Sequence, residues 1–166
     1  SRNALYLGKA TELLNELVKS KSFLLATGNT ISPKRMKDKY IILRFLGFYL
    51  LRTKQLESIE YKSDVDEFLA DIMRFINKMS DEQIEHLKSI FELAMKNSVA
   101  ILGKDAFRFK GKNKKRPINM GLFESIAYML STPIPEGLSG LKEKIEQLKQ
   151  EMDKSQMFLG IIDSNL

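Results

Sequence analysis

The sequence contains no cysteine and a single histidine, His86. Without thiols the chain cannot form disulfides, iron–sulfur clusters, thiolate zinc sites or a cysteine nucleophile. One imidazole cannot build a multi-histidine metal centre, and no catalytic relay is evident around His86, which we interpret as a surface or hydrogen-bonded side chain. We therefore expect this chain to hold no metal and no cofactor and to carry no catalytic residue.

Helix-breaking residues and long apolar runs are also scarce. Four prolines and nine glycines among 166 residues leave little room for disordered linkers. The most apolar run, Tyr40–Leu51, has twelve residues and contains Arg44, whereas a membrane-spanning helix needs about 20 apolar residues. The chain opens without a signal-peptide pattern. We expect a single domain of a cytoplasmic protein, with no membrane partner.

Apolar residues recur at three- and four-residue spacing along most of the chain, and this spacing predicts helices. The predicted helices cover Ala4–Leu25, Met36 to about Thr53, a stretch beginning at Ser63 or Asp64, Ser80 to Gly103, about 117–130, Gly140–Met152 and the last ten residues. Ser80-Asp-Glu-Gln83 has the pattern of a capping box, and Gly103 is a natural helix stop. Phe107 to Phe109 could form a short extended piece. The predicted fold class is all-α, a bundle of six or seven helices with a basic loop between the fourth and fifth.

Two positions on these helices leave alternatives open. Arg44 lies within an apolar helix, where a guanidinium needs carboxylate or phosphate partners. Its partner is either an acid of another helix (candidates are Asp64, Asp66, Glu67 and Asp71) or a ligand or neighbouring domain. The second position is the last amphipathic helix, whose apolar stripe serves either its own core or a partner seam. The stripe is Leu141, Ile145, Leu148 and Met152, and Glu143, Lys144, Glu146 and Lys149 form the expected outer face.

The net charge of +6 is concentrated in one segment. Residues 104–116 contain seven basic residues and one acid, so the rest of the chain is neutral in sum. Such a local excess is a candidate site for phosphate or another polyanion, and it is also typical of a solvated loop. The candidate nucleic-acid-binding residues are Lys110, Lys112, Lys114, Lys115 and Arg116.

A resemblance to one prokaryotic family is carried by several short motifs in the same order along residues 2 to about 162. They are Arg2-Asn3-Ala4-Leu5-Tyr6-x-Gly8, Arg35-Met36-Lys37-Asp38 with Ile42-Leu43-Arg44-Phe45-Leu46, Phe68-Leu69 with Met73, Phe91 with Gly103-Lys-Asp-Ala-Phe107-Arg108, Asn119-x-x-Leu122-Phe123-Glu124, and Phe158 to Ile162. The chain resembles the helical half of the N-terminal domain of GmrSD-type restriction endonucleases, a family long catalogued as a domain of unknown function.

The resemblance implies an upstream α/β domain similar to ParB and sulfiredoxin-like nucleases or NTPases, with an Asp-Gly-Gln-Gln-Arg-type motif. This sequence contains neither that motif nor a His-Asn-His cluster. We therefore expect a fragment, a single α-helical subdomain over 1–166 truncated at both ends and lacking that domain. The resemblance assigns NTP and a divalent metal to the whole family protein and none to this chain. The best-matching residues would face the missing domain or line its ligand site; they are Arg35, Asp38, Arg44, Arg108 and Asn119.

These observations predict a non-catalytic helical subdomain of a GmrSD-like NTPase or nuclease of DNA restriction or phage defence. Its expected partners are the upstream α/β domain and DNA. The alternative is a free-standing basic nucleic-acid-binding helical module, which would bind backbone phosphate and weaken steeply with salt. The sequence does not indicate an oligomeric state.

Overall fold

The computed structural model describes residues 8–56, 64–135 and 139–158. Within these ranges there are seven α-helices and no strand, so the predicted all-α bundle is confirmed. The helices are α1 (Lys9–Leu17), α2 (Lys21–Ala26), α3 (Lys37–Arg52), α4 (Val65–Asn77), α5 (Asp81–Leu102), α6 (Met120–Met129) and α7 (Leu141–Phe158). Two short 3₁₀ turns, Lys34–Met36 and Gly103–Asp105, precede α3 and follow α5. The predicted segments at 1–7 and 159–166 lie outside the described residues.

The region predicted as one helix from Ala4 to Leu25 contains two, α1 and α2. The chain leaves the helical conformation at Ser20, where ψ is 127°. The Ser20 hydroxyl accepts a hydrogen bond from the Phe23 backbone N–H at 3.2 Å and caps the second helix. As a result, the basic loop lies between the fifth and sixth helices of the described chain, not between the fourth and fifth as predicted.

Side-chain caps fix the starts of the next helices. The Asp64 carboxylate accepts from the backbone N–H groups of Asp66 and Glu67 at the start of α4. At the start of α5 the Ser80 hydroxyl accepts from the Gln83 N–H at 3.2 Å, and the Gln83 side chain accepts from the Ser80 N–H at 2.9 Å. The predicted capping box is therefore confirmed. Gly103 ends α5 with a φ of +73°.

The central helix is α3, which packs against α1, α4 and α6. Eight of its residues are buried, including Ile41, Phe45 and Leu50. A Cβ atom at Gly47 would lie 3.1 Å from Phe68 Cε1 and 3.2 Å from Ile72 Cγ1. The missing side chain therefore lets α3 and α4 approach closely.

Five buried phenylalanines from different elements meet in the centre of the bundle. Phe123 of α6 lies at the middle of this aromatic cluster, with ring centroids 4.6 Å from Phe107, 6.1 Å from Phe23 and 6.3 Å from Phe45. Phe91 of α5 contacts Phe23 and Phe45. Since Phe107 belongs to the segment that follows α5, the cluster fixes the base of the basic loop to the core.

Candidate functional site

The basic loop leaves the core and returns to it at a narrow neck. Phe107 and Phe109 on one side, and Ile118 on the other, are buried. The Asn119 backbone N–H donates to the Phe107 carbonyl at 2.9 Å and joins the two sides. Phe107 lies in a turn, so the short extended piece considered at 107–109 is absent from this described segment. Residues 110–117 therefore project from a base that is fixed at both ends.

Arg108 ties the neck together from inside and is only 7% exposed. One guanidinium nitrogen donates to the Thr30 hydroxyl at 2.6 Å, and another donates to the Arg116 carbonyl. Its Nε atom is buried, has no hydrogen-bond partner within the described ranges, and lies 3.9 Å from the Asp105 carboxylate. Through these contacts Arg108 stabilises the conformation of the loop.

The five candidate nucleic-acid-binding residues divide into two groups. Lys115 Nζ lies 3.1 Å from the Asp105 carboxylate. Arg116 donates to the Asp153 carboxylate at 2.6 Å and stacks over the Phe109 ring at 5.1 Å. Both cations therefore already have a carboxylate partner from the fold.

Lys110, Lys112 and Lys114 form the second group, which we call the free loop lysines. All three side chains are exposed, and within the described residues none of them makes an ion pair or a hydrogen bond. A Cβ atom at Gly111 would collide with the Lys114 carbonyl oxygen, so the loop is tightly folded at this point. The fold holds the backbone of these lysines while leaving their charges unneutralised.

The loop and α7 enclose an open recess of about 780 Å³, which we call the basic recess. Its lining, as far as the structure describes the chain, comprises nine basic side chains and two carboxylates, Asp105 and Glu146. Lys104 and Lys142 contribute to it and were not predicted as site residues. Lys104 lies within the basic run, but Lys142 belongs to α7, and sequence alone does not bring α7 beside the loop. Such a concentration of one sign of charge attracts phosphate groups.

Lys149 of α7 was expected on the outer face, and that expectation is wrong. It is only 6% exposed, and its ammonium donates to the Asp105 and Ala106 carbonyls at 3.1 and 3.2 Å. Burial lowers the pKa of the Lys149 ammonium, while the charges of Glu146 and Asp105 act in the opposite direction. The side chain therefore fastens α7 to the segment that follows α5, beside the recess.

Arg44 makes an ion pair, but not with the four acids proposed from the sequence. Its Nε donates to the Glu124 carboxylate of α6, its Nη1 lies 3.3 Å from Met120 Sδ, and the guanidinium lies 5.9 Å from the centre of the Tyr40 ring. Burial raises the pKa of the Glu124 carboxyl, and Arg44 acts in the opposite direction. The pair joins α3 to α6.

The other residues expected to face a missing domain are placed as follows. Asn119 is buried, and its side chain caps α6 by accepting from the Leu122 N–H at 3.0 Å. Asp38 lies in the first turn of α3, where its carboxylate accepts from the Lys39 N–H. The side chain of Arg35 lies outside the described part of the structure. Arg44, Arg108 and Asn119 thus all have partners within the bundle.

In the part of the chain that the structure describes, His86 and the acidic side chains form no cluster of metal-binding type. His86 is exposed on α5. Among residues 8–56, 64–135 and 139–158, no three histidine, aspartate or glutamate side chains gather closely enough to bind a metal ion. The helices described in these ranges are also too short or too polar to span a bilayer.

Comparison of the chain with protein-family models, with curated proteins and with solved structures gives no match.

Proposed function

We propose that this chain is a non-catalytic helical subdomain of a GmrSD-like restriction or phage-defence protein, and that it contributes a surface that binds nucleic-acid phosphate. The observation that carries the proposal is the set of free loop lysines, which project into the basic recess without carboxylate partners. Exposed lysines bind backbone phosphate by releasing condensed counterions, and this binding needs no base contact.

The geometry of the loop favours a role in phosphate binding over a role in solubility alone. A loop that serves only solubility needs no defined shape, whereas this one is fixed by Arg108, by the Asn119–Phe107 backbone hydrogen bond and by the ion pair of Lys115 with Asp105. Lysines held on a rigid base lose less conformational entropy on binding than lysines of a flexible tail.

Fluorescence anisotropy of a labelled DNA duplex, titrated with the chain at several salt concentrations, tests the proposal. Replacement of Lys110, Lys112 and Lys114 by glutamine should weaken binding and flatten the dependence of log K on log salt by up to roughly 2.7, since each phosphate contact contributes about 0.9. The control replaces the exposed Lys19, Lys21 and Lys78, which removes the same charge elsewhere. Equal effects of the two triple variants would show that the loop is only a solvated surface.

Two other parts of the proposal are tested separately. One is that the chain has no catalytic activity, and the other is that it belongs to a larger GmrSD-like protein. The pure chain should hydrolyse neither NTP nor DNA with Mg²⁺ or Mn²⁺ present, and measurable metal-dependent turnover would overturn that part of the proposal. The association with an α/β domain is supported by the sequence resemblance. Reading the coding sequence upstream of Ser1 tests it, because an Asp-Gly-Gln-Gln-Arg-type motif there is expected.

A second candidate is a free-standing basic nucleic-acid-binding module. The same free loop lysines favour it, because they and the other described residues that line the recess belong to this chain. A start codon directly before Ser1, together with loop-dependent binding, would support the module and contradict the subdomain.

A further inference from the structure

Helix α7 forms one wall of the basic recess, through Lys142, Glu146, Lys149 and Gln150. Among its described side chains, Ile145 is buried, and Leu141 and Met152 are partly buried against the core. Two polar contacts of its described residues reach the segment around the loop, since Lys149 donates to the Asp105 and Ala106 carbonyls and Asp153 accepts from Arg116. The position of α7 is therefore coupled to the residues that would receive phosphate.

The two acids of α7 near the recess oppose phosphate binding. Asp153 occupies the guanidinium of Arg116, and Glu146 places a negative charge in the lining of the recess. The contact between Asp153 and Arg116 is also incompletely satisfied, because Asp153 Oδ1 is buried and has no hydrogen-bond partner among the residues that the structure describes. An unpaired buried oxygen is destabilising, so the attachment of Asp153 is one that a competing anion can displace.

From this arrangement we infer that α7 is an autoinhibitory arm of the basic recess. Asp153 and Glu146 compete with nucleic-acid phosphate, and a bound phosphate takes the place of the Asp153 carboxylate on Arg116. The inference rests on the proposed function and adds a means of regulating it. Full engagement of the recess then uses one more cation than the free loop lysines alone provide.

The test compares two single-charge changes on the same helix. In Asp153→Asn the carboxylate that holds Arg116 is lost. In Glu151→Gln the same charge is lost from an exposed position that makes no described contact with the loop. If Arg116 gains a phosphate contact in Asp153→Asn, duplex affinity should rise roughly fivefold at 0.15 M salt and the salt slope should steepen by about 0.9. Glu151→Gln should change affinity by less than about twofold, because exposed charges are screened.

Two further variants keep the result unambiguous if Asp153→Asn loosens α7. Glu146→Gln removes a recess carboxylate that makes no described ion pair, and it should also raise affinity more than Glu151→Gln does. In an Arg116→Gln background the gain from Asp153→Asn should disappear, because the two changes then act on one contact. As a control, circular dichroism of each variant measures whether its helical content equals that of the wild-type chain.

The outcomes separate the two proposals. If the wild-type chain binds no duplex, or binds without dependence on the free loop lysines, the proposed function fails. If binding depends on those lysines but Asp153→Asn and Glu146→Gln match Glu151→Gln, the proposed function stands and the autoinhibitory role of α7 is refuted.

Discussion

Truncation of Phe123 to alanine should strongly destabilise the bundle. Phe123 is fully buried and has ring contacts with Phe23, Phe45 and Phe107, which belong to three other parts of the chain. Removal of a buried phenylalanine side chain costs about 3–5 kcal/mol because transfer energy and a residual cavity both contribute. The three aromatic contacts, worth about 0.5–1.5 kcal/mol each beyond area burial, place Phe123 in the upper half of that range, at about 4 kcal/mol or more.

A loss of about 4 kcal/mol is a large part of the total stability of a domain, which is about 5–15 kcal/mol. For a chain of this length it should lower Tm by about 8–16 °C. Urea unfolding followed by circular dichroism at constant m-value measures the change in free energy directly. The same assay on Phe123→Leu should show a smaller loss, because most of the volume remains.

Phe75→Ala is the matched control, since Phe75 of α4 is only half-buried at the edge of the core. Partial burial of its ring should make this substitution cost about 1–2 kcal/mol. If Phe123→Ala and Phe75→Ala lower the free energy of unfolding equally, the aromatic cluster does not hold the bundle together and our account of the core is wrong.

Three other substitutions test separate parts of the structure. Gly111→Ala should weaken duplex binding at nearly unchanged Tm, because its Cβ would collide with the Lys114 carbonyl and distort the loop; unaltered affinity would contradict the tight loop geometry. Ser80→Ala should lower the free energy of unfolding by about 1 kcal/mol through loss of the α5 cap, as measured by urea titration. Arg44→Met should be more destabilising at pH 7 than at pH 4, as measured in the same way, because it leaves the ionised Glu124 without its cation; equal losses at both pH values would refute this account of the pair.

The sign of the pH effect follows from the direction of the pKa shift. Burial raises the pKa of Glu124 above its ordinary value of 4.5 in the folded state. Folding therefore favours the protonated form of Glu124. The stabilisation that comes from this preference is fully present below the pKa of Glu124 in the unfolded chain, and it is lost as the pH rises through the pKa of Glu124 in the folded chain. Removal of Arg44 takes away the charge that opposes this shift, and the pH dependence becomes steeper.

Local patterns predicted most of the helices, because the residues that indicate a helix or its cap lie within a few positions of each other along the chain. Ser80 and Gln83 are three positions apart, and the capping box they predict is present. The division of the first helix at Ser20 was missed, since the apolar stripe continues across it and a serine inside such a stripe is ambiguous. The hydrogen bond from Phe23 to Ser20 decides between one helix and two.

The sequence predicted where the basic residues of the candidate site lie along the chain. It did not predict which contacts their side chains make in the fold. The sequence identified all five basic residues of the loop, but which of them are neutralised depends on contacts with distant residues, as in Arg116 with Asp153. The ion pair of Arg44 shows the same limit: an acid partner was among the expectations, while Glu124, eighty residues away, was not among the candidates. Lys149 was misplaced because its acceptors are backbone carbonyls, which no side-chain pattern reveals.

The neck formed by Phe107, Ile118 and Asn119 bears on what happens when the peptide chain is cut within the basic loop. Because the chain enters and leaves the core at neighbouring points, we expect a cut between residues 110 and 115 to leave α6 in place. Trypsin cuts after lysine, and the free loop lysines are its most accessible targets in this segment. A chain cut there would consist of two pieces, and the Phe123 side chain of the second would remain packed among Phe23, Phe45 and Phe107 of the first. We therefore expect the two pieces of a cut chain to stay associated through the aromatic cluster.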